Sequence, residues 1–252
     1  MDLGIAGKCA AVAASSTGLG YGCAAALLAE GVSVAICSRS RERIDAAVEK
    51  LTPNAPSGAR VVGIEADVSS EQGAHSFVRQ AIEALGQVDI LVANAGGPPP
   101  GSPSETALDA YRAALDLNLL STIAMAQAAV GGMRERGWGR IVAITSVGAR
   151  QPIGYLAASS VARAGVTSFV KTLATEVAAD GVTVNSAQPG LHATDRVTQL
   201  GSADRMAQSV PAKKLGSAED FGRAVAFLCS QPAQFITGTS LLLDGGQYPG
   251  LV

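Results

Sequence analysis

Short apolar runs alternate along the chain with longer stretches in which apolar residues recur at helical spacing. The short runs predict seven β-strands, and several of them are continuously apolar, as expected of strands that helices cover on both faces. They span residues 8–15, 32–37, 59–66, 88–95, 139–146, 182–187 and 240–244. Helices are predicted between them, at residues 18–30, 41–51, 70–85, 106–136, 157–179 and 217–230. Such regular alternation predicts βαβ crossovers, and therefore an α/β single-domain Rossmann fold over residues 1–252, with a doubly wound, seven-stranded parallel sheet.

In a sheet of this kind, ligands bind beyond the carboxyl ends of the strands. The first such loop reads "ASSTGLGYG", residues 14–22. Gly18 and Gly20 open the following helix, whose free N–H groups and dipole favour a pyrophosphate. The hydroxyls of Ser15, Ser16 and Thr17 can donate to the same group. Gly and Ser also form ordinary turns, but the position after the first strand of a βαβ unit favours a nucleotide loop.

The end of the second strand indicates which dinucleotide this loop would hold. Folds that bind NAD usually place an acidic residue there, about 20 residues after the glycines, to bind the ribose hydroxyls. This chain has Ser38 followed by Arg39. The planar guanidinium of Arg39 can bind a 2′-phosphate that an acid would repel, so NADP(H) is predicted. Arg41 and Arg43 fit the solvated start of a helix.

Composition narrows the class of protein further. The formal net charge is −2, which gives no electrostatic reason to expect nucleic acid or an anionic membrane as a partner. No signal peptide is expected at the N-terminus, and no apolar run long enough to cross a bilayer. The cysteines lie in apolar segments without CxxC spacing or His partners, at Cys9, Cys23, Cys37 and Cys229. They predict buried free thiols in a cytoplasmic protein, and no metal site.

Together these motifs resemble those of the short-chain dehydrogenase/reductase family along nearly the whole chain, most closely its 3-oxoacyl-[acyl-carrier-protein] reductase-like members. The family's glycine motif corresponds to "AASSTGLG", residues 13–20, with Ala14 at the first glycine, where a negative φ would make Ala tolerable. The family's adenine-binding Asp corresponds to Asp67 in "EADVS", and its catalytic Asn to Asn118 in "DLNLLS". Its Asn-Asn-Ala-Gly and Pro-Gly motifs correspond to "ANAG", residues 93–96, and to residues 189–190.

The resemblance implies a set of site residues, a small-molecule substrate and a homo-oligomer, a tetramer or dimer, assembled through helices 106–136 and 157–179. The implied cofactor-binding residues are Ala14, Ser16, Thr17, Gly18, Leu19, Gly20, Ser38, Arg39, Asp67, Val68, Asn94, Ala95, Gly96, Arg163, Pro189, Gly190 and Thr194. The implied catalytic residues are Asn118, Ser146, Ser159, Arg163 and Tyr155. Residues 191–214 resemble the family's substrate lid. The loop "GGPPPGSP", residues 96–103, is either a stiff wall of the site or a plain surface loop.

The catalytic motif departs from the family pattern. In the family, a Ser at the end of the fifth strand is followed 13 residues later by Tyr-x3-Lys. Ser146 matches the first position, but Ser159 and Arg163 stand where the Tyr and the Lys belong, and "SFVKTLATE" downstream fixes this register. A Ser hydroxyl is shorter than a phenol, whose pKa is about 10, and much less acidic. The absence of one positioned general acid typically costs about 10²–10⁴ in rate.

Three groups could supply the proton instead. Tyr155 lies four residues before Ser159, on the same face if the helix starts early. His192 follows the Pro-Gly motif and would titrate near neutral pH, although a solvated loop residue is the more ordinary interpretation. A water held by Ser146, Ser159 and Asn118 is the third. No role is assigned to His75.

The sequence therefore favours an NADP(H)-dependent oxidoreductase that transfers a hydride to a carbonyl, or to an activated C=N or C=C, with a non-standard proton donor. Two alternatives stay open. One is a non-redox lyase, isomerase or cyclase on the same scaffold, and the other is a non-catalytic NADP-binding protein.

Overall fold

The structure is a computed structural model that describes residues 1–198 and 201–251. The predicted lid, residues 191–214, thus includes two residues, 199 and 200, that lie outside the described residues.

The described residues contain seven strands in one sheet: β1 (Cys9–Val12), β2 (Ser33–Ser38), β3 (Val61–Glu65), β4 (Ile90–Ala93), β5 (Gly139–Ile144), β6 (Val182–Pro189) and β7 (Ser240–Leu243). Their order is β3-β2-β1-β4-β5-β6-β7, and every neighbouring pair is parallel. The predicted doubly wound Rossmann fold is confirmed. The strand order reverses direction between β1 and β4, so the loops after these strands open side by side, where such sheets bind ligands.

The helices in the described part of the chain are α1 (Gly18–Ala29), α2 (Arg41–Leu51), α3 (Glu71–Leu85), α4 (Leu108–Ala114), α5 (Ser121–Glu135), α6 (Ala157–Val177), α7 (Asp195–Thr198), α8 (Ala203–Ser209) and α9 (Ala218–Leu228). Alternate residues of β1 point to opposite faces, because side chains alternate along a strand. Ala11 and Ala13 join the core beneath α3, α5 and α6, whereas Ala10 and Val12 join the core beneath α1, α2 and α9. The sheet is therefore covered on both faces, as its apolar strands predict.

The helix predicted at residues 106–136 is one helical stretch with an internal irregularity. A π-helical segment, Leu115–Leu120, separates α4 from α5 and contains Asn118. Short π-helical insertions of this kind are frequent at functional sites.

The same stretch, Leu108–Glu135, is long and apolar enough to cross a membrane by length and composition alone. The expectation that no run reaches that length is therefore wrong. In this fold, α5 places Ala124, Met125 and Met133 in the core, so part of the apolar composition belongs to a buried helix face.

Two glycines bring α1 and α9 into backbone contact. A Cβ on Gly22 would overlap the Ala218 carbonyl, and a Cβ on Gly222 would overlap the carbonyl of Gly22. This close approach brings α9 against the helix that follows the glycine-rich loop. The prediction of buried free thiols is also confirmed, since all four cysteines are free and buried.

Candidate active site

A cavity of about 1260 Å³ lies at the carboxyl ends of the strands. Most of the predicted site residues line it: Ala14, Ser16, Thr17, Gly18, Leu19, Ser38, Arg39, Asp67, Val68, Asn94, Ala95, Gly96, Ser146, Tyr155, Ser159, Arg163, Pro189, Gly190 and Thr194. Gly20 and Asn118 are not in the cavity wall. The fold thus brings nearly the whole predicted set to one place.

The glycine-rich loop ends at a helix N-terminus without a side-chain cap. The Thr17 hydroxyl makes no capping bond to α1, whose first turn has no acidic residue. By contrast, α2, α3 and α9 are each capped by a serine hydroxyl. The first-turn N–H groups of α1 therefore lack a capping side chain at the cavity wall, an arrangement that suits an anion. Gly20 lies behind this loop, where a Cβ would come within 2.5 Å of the Ala14 carbonyl oxygen.

Ala14 differs from the sequence expectation. Its φ is +46°, in the left-handed region, so the condition under which Ala would be tolerable here, a negative φ, is not met. Neighbours hold its backbone from two sides: its N–H lies 3.4 Å from Cys37 Sγ, and its carbonyl accepts from Asn94 Nδ2 at 3.1 Å. Left-handed geometry costs an L-residue other than glycine about 1–2 kcal/mol.

Ser15 stabilises the fold and does not face the cavity, contrary to the prediction that its hydroxyl could donate to a phosphate. It is fully buried, and its hydroxyl donates to the Val12 carbonyl at 2.6 Å and accepts from the Cys37 N–H at 3.2 Å. Ser15 thus joins β1 to β2. Ser16 and Thr17 do line the cavity.

Two arginines stand at the end of the cavity formed by β2 and α2. Arg39 and Arg43 both line it, whereas Arg41 pairs with Asp45 on the surface of α2 at 3.6 Å. Arg43, which the sequence pattern predicts at a solvated helix start, therefore also belongs to the cavity wall. Ser40, which caps α2, was the available signal, because it fixes residue 43 in the first helical turn.

Asp67 faces the same end of the cavity. Partial burial acts to raise the pKa of its carboxyl group. The hydroxyl and N–H of Ser69, together with the positive charge of Arg39, outweigh that effect and lower the pKa below its usual value. Asp67 is therefore an anionic acceptor beside a cationic Arg39 at neutral pH.

The opposite end of the cavity holds two serines and a buried cation. Ser146 follows β5, and its Oγ accepts from the Gly148 N–H at 2.9 Å, which leaves the O–H free to donate. Ser159 lies in the first turn of α6, and its hydroxyl makes no hydrogen bond to any described residue. Arg163 is 9% exposed, and its Nη1 donates to the carbonyls of Ile144 at 2.8 Å and Thr145 at 3.0 Å. The guanidinium is therefore fixed at the end of the strand that carries Ser146.

Tyr155 lies in the loop before α6. The helix begins at Ala157, so the possibility that an early start places Tyr155 on the same face as Ser159 is wrong. Tyr155 is 56% exposed at the cavity rim. Its carbonyl accepts from the Gly101 N–H at 2.8 Å, which ties the proline-rich loop to the start of α6. That loop does line the cavity, through residues 96–99.

Asn118 is buried behind the cavity wall. Its Nδ2 donates to the Gly96 carbonyl at 2.9 Å, and its backbone carbonyl accepts from Thr122 Oγ1 at 2.7 Å. Its Oδ1 has no partner among the described residues. Asn118 therefore supports the loop after β4, and only Ser146 and Ser159 of the predicted water-holding group line the cavity.

His192 is buried, not solvated as the alternative reading of the sequence had it. It is 6% exposed, and its ring meets Phe221 edge-on at 5.2 Å between centroids. Its Nδ1 lies 3.2 Å from the Gly190 carbonyl, which can only accept, so Nδ1 carries the hydrogen. Burial lowers the pKa of the ring, although the bond to Gly190 partly opposes the shift. His192 is therefore neutral at pH 7.

The rest of this end of the cavity is mainly apolar. Its wall contains Pro98, Pro99, Ala113, Leu117, Val147, Ile153, Leu156, Val197 and Met206. Gln247, from the segment after β7, adds a polar group that the sequence does not predict. No motif named above includes the residues after β7, so no sequence signal marks it.

Comparison with known proteins shows which family has this arrangement. Residues 13–247 match the family model described as enoyl-(acyl carrier protein) reductase. The pig protein dehydrogenase/reductase SDR family member 4 is 33% identical over 244 residues, which cover 95% of this chain and 86% of the pig protein. The chain belongs to the short-chain dehydrogenase/reductase family.

Other members of the short-chain dehydrogenase/reductase family share the full length of the chain. The 3-oxoacyl-[acyl-carrier-protein] reductase FabG of Escherichia coli is 34% identical over 244 residues, covering 96% of this chain and 98% of the relative. The crystal structure of L-sorbose reductase from Gluconobacter frateurii, complexed with NADPH and L-sorbose, superposes with a TM-score of 0.93 at 31% identity, covering all of both chains. The chain is therefore an oxidoreductase by family.

Proposed function

We propose that this chain is an NADP(H)-dependent reductase that acts on a carbonyl, or on an activated C=N or C=C, of a small molecule, without the family's tyrosine as proton donor. One observation carries the proposal: a single cavity joins an uncapped helix N-terminus and two arginines at one end to Ser146, Ser159 and Arg163 at the other.

The cavity fits a dinucleotide phosphate. The first turn of α1, with Ser16 and Thr17, would hold the pyrophosphate, and Arg39 with Arg43 the 2′-phosphate. Asp67 and Val68 would flank the adenine, and residues 94–96 would line the middle of the site. Pro189, Gly190 and Thr194 would hold the nicotinamide, and Arg163 the ribose. When bound, NADPH supplies the hydride.

The chain's own residues would act on the substrate oxygen. The hydroxyls of Ser146 and Ser159 would donate hydrogen bonds to it, and the fixed positive charge of Arg163 would stabilise the negative charge that develops there. None of these groups is an acid of phenol strength. Tyr155 stands exposed at the rim, and the Nδ1 hydrogen of His192 is engaged with Gly190. These positions support water at Ser146 and Ser159 as the proton source.

This arrangement favours acceptors whose reduction leaves a weakly basic anion. Reduction of a simple ketone leaves an alkoxide, which needs a proton at once, whereas conjugate reduction of an enone leaves a stabilised enolate. We therefore expect NADPH oxidation to be faster with enones and 1,2-diketones than with a simple ketone of the same size. Protonated cyclic imines should also react faster, because hydride addition to an iminium ion leaves a neutral amine that needs no further proton. NADPH consumption across such a panel, followed at 340 nm with product analysis, tests the proposal.

The same panel separates the rival functions. Conversion of a substrate without NADPH consumption would favour a non-redox lyase, isomerase or cyclase. That class stays open because Ser159 stands where the family has its catalytic Tyr. NADPH binding with no conversion of any compound would favour a non-catalytic binding protein.

Cofactor preference has its own test. A charge-assisted contact contributes about 1.5–3 kcal/mol, so NADPH should bind about tenfold or more tighter than NADH. Arg39→Ala should remove most of that preference, while the surface variant Arg41→Ala should keep it. Fluorescence titration of both cofactors measures the ratio, and equal affinities in the wild type would contradict the role of Arg39.

We also propose that the single domain forms a homo-oligomer and resides in the cytoplasm. Exposed Leu108, Leu120 and Val161, on the two predicted interface helices, support self-association, and the buried free thiols suit a reducing compartment. Light scattering coupled to gel filtration would give the mass, and a monomer would contradict the assembly.

A further inference from the structure

The segment after β7 forms a tight turn beside the cavity. The Asp244 carboxylate accepts from the Gly246 N–H at 2.9 Å and the Tyr248 N–H at 2.7 Å, while the Asp244 carbonyl accepts from the Gln247 N–H at 3.3 Å. Gly245 and Gly246 have φ values of +63° and +84°, which glycine adopts without strain. The turn therefore fixes the backbone at Gln247 and with it the direction of the Gln247 side chain.

The turn is also fastened to the strand end that carries Ser146. The guanidinium of Arg150 lies 5.4 Å from the centre of the Tyr248 ring, within the range of a cation–π contact. Arg150 also donates to the Ser240 carbonyl at 3.4 Å, and it follows the short turn Val147–Ala149 directly after Ser146. Gln247 is thus held by the same local structure as Ser146, one of the two proposed oxyanion-binding serines.

Gln247 lines the cavity and carries an unsatisfied, buried acceptor. Its side chain lies on Gly190, where any Cβ would come within 2.8 Å of Gln247 Oε1. Oε1 is buried and has no hydrogen-bond partner among the described residues, although Gln247 itself lines the cavity. A buried acceptor without a donor is costly, and a ligand that brings a donor would relieve that cost.

We propose that Gln247 is a specificity-determining residue whose amide oxygen accepts a hydrogen bond from a hydroxyl or N–H group next to the reacting carbonyl of the substrate. The substrate class is then a carbonyl compound with an apolar skeleton, matching the apolar wall, and one hydrogen-bond donor near the carbonyl. This inference rests on the proposed reductase function.

Three matched ketones test the donor. 2-Hydroxyacetophenone carries a hydroxyl where propiophenone carries a methyl group, and 2-methoxyacetophenone has the oxygen without the hydrogen. On protein saturated with NADP⁺, which has no hydride to transfer to a ketone, titration calorimetry should show the hydroxyl compound binding about tenfold tighter than the other two. Gln247→Met should remove this preference without changing NADPH affinity. Gln247→Glu, which keeps an oxygen acceptor, and Gln72→Met, on the exposed surface of α3, should retain it.

Other outcomes overturn the inference. Equal affinity for the three ketones in the wild type, no binding of any of them, or a preference that survives Gln247→Met would each do so. Weaker NADPH binding in Gln247→Met would assign the acceptor to the cofactor instead of the substrate. NADPH oxidation is measured separately: a preference dependent on Gln247 without turnover would reject the reductase proposal and leave the recognition role standing.

Discussion

At the residue scale, Ala14 stands where the chain turns left-handed at the start of the nucleotide loop. Ala14→Gly should raise the free energy of unfolding by about 0.5–1 kcal/mol, because the relief of left-handed strain exceeds the added backbone entropy of glycine. Urea denaturation measures the change. Ala25→Gly, in the middle of α1, should instead lower stability by about 0.5–1 kcal/mol. A loss of stability in Ala14→Gly equal to that of Ala25→Gly would contradict the strain argument.

His192 should make stability depend on pH. Because burial lowers the pKa of its ring in the folded chain, the unfolded chain binds the proton first as pH falls below about 6.5. Stability should therefore be fully present above that pH and decline below it, until the folded ring also titrates. The slope from one such group is at most about 1.4 kcal/mol per pH unit. Thermal unfolding between pH 7.5 and 5.5 should show a flatter profile for His192→Phe than for the wild type, and identical profiles would reject the assignment.

At the scale of elements, the contact between α1 and α9 depends on the absence of side chains. Gly22→Ala should destabilise the protein by about 1–3 kcal/mol, since its Cβ would overlap the Ala218 carbonyl. Gly131→Ala is a matched control in α5, where a Cβ would meet nothing within 4 Å. Gly131→Ala should stabilise the protein by about 0.5–1 kcal/mol, the usual gain when Ala replaces Gly inside a helix. Chemical denaturation measures the change in the free energy of unfolding, which should be negative for Gly22→Ala and positive for Gly131→Ala. A more stable Gly22→Ala variant would disprove the close contact.

At the scale of the whole molecule, the question is whether the scaffold still supports the family's chemistry. Ser159→Tyr with Arg163→Lys should restore the general acid and its charged neighbour beside Ser146. Recovery of such an acid is worth up to about 10⁴ in rate, and we expect about 10²-fold, because the cavity must accommodate a larger side chain. NADPH oxidation with a small 1,2-diketone compares the double variant with the wild type. A folded variant that binds NADPH and gains nothing would indicate a cavity rebuilt for other chemistry.

The sequence alone determined the architecture of this protein. Seven apolar runs separated by helical patterns leave few ways to bury both faces of a sheet, so strand count, parallel pairing and the ligand edge all followed from local periodicity. The family resemblance, not periodicity, put Ser146, Ser159 and Arg163 at one end of the site. Arg39 was placed at the other end because it follows the second strand, whose carboxyl end the fold brings to that edge.

Only the tertiary structure decided the conformations and partners of individual groups. The positive φ of Ala14 follows from its contacts with Cys37 and Asn94, which are 23 and 80 residues away along the chain. The burial of His192 depends on Phe221, and the place of Gln247 in the cavity on a turn that packs against Gly190. Periodicity reports which face of an element is buried, but contacts between distant segments set backbone strain, protonation and hydrogen bonding at a site, and no local pattern records those contacts.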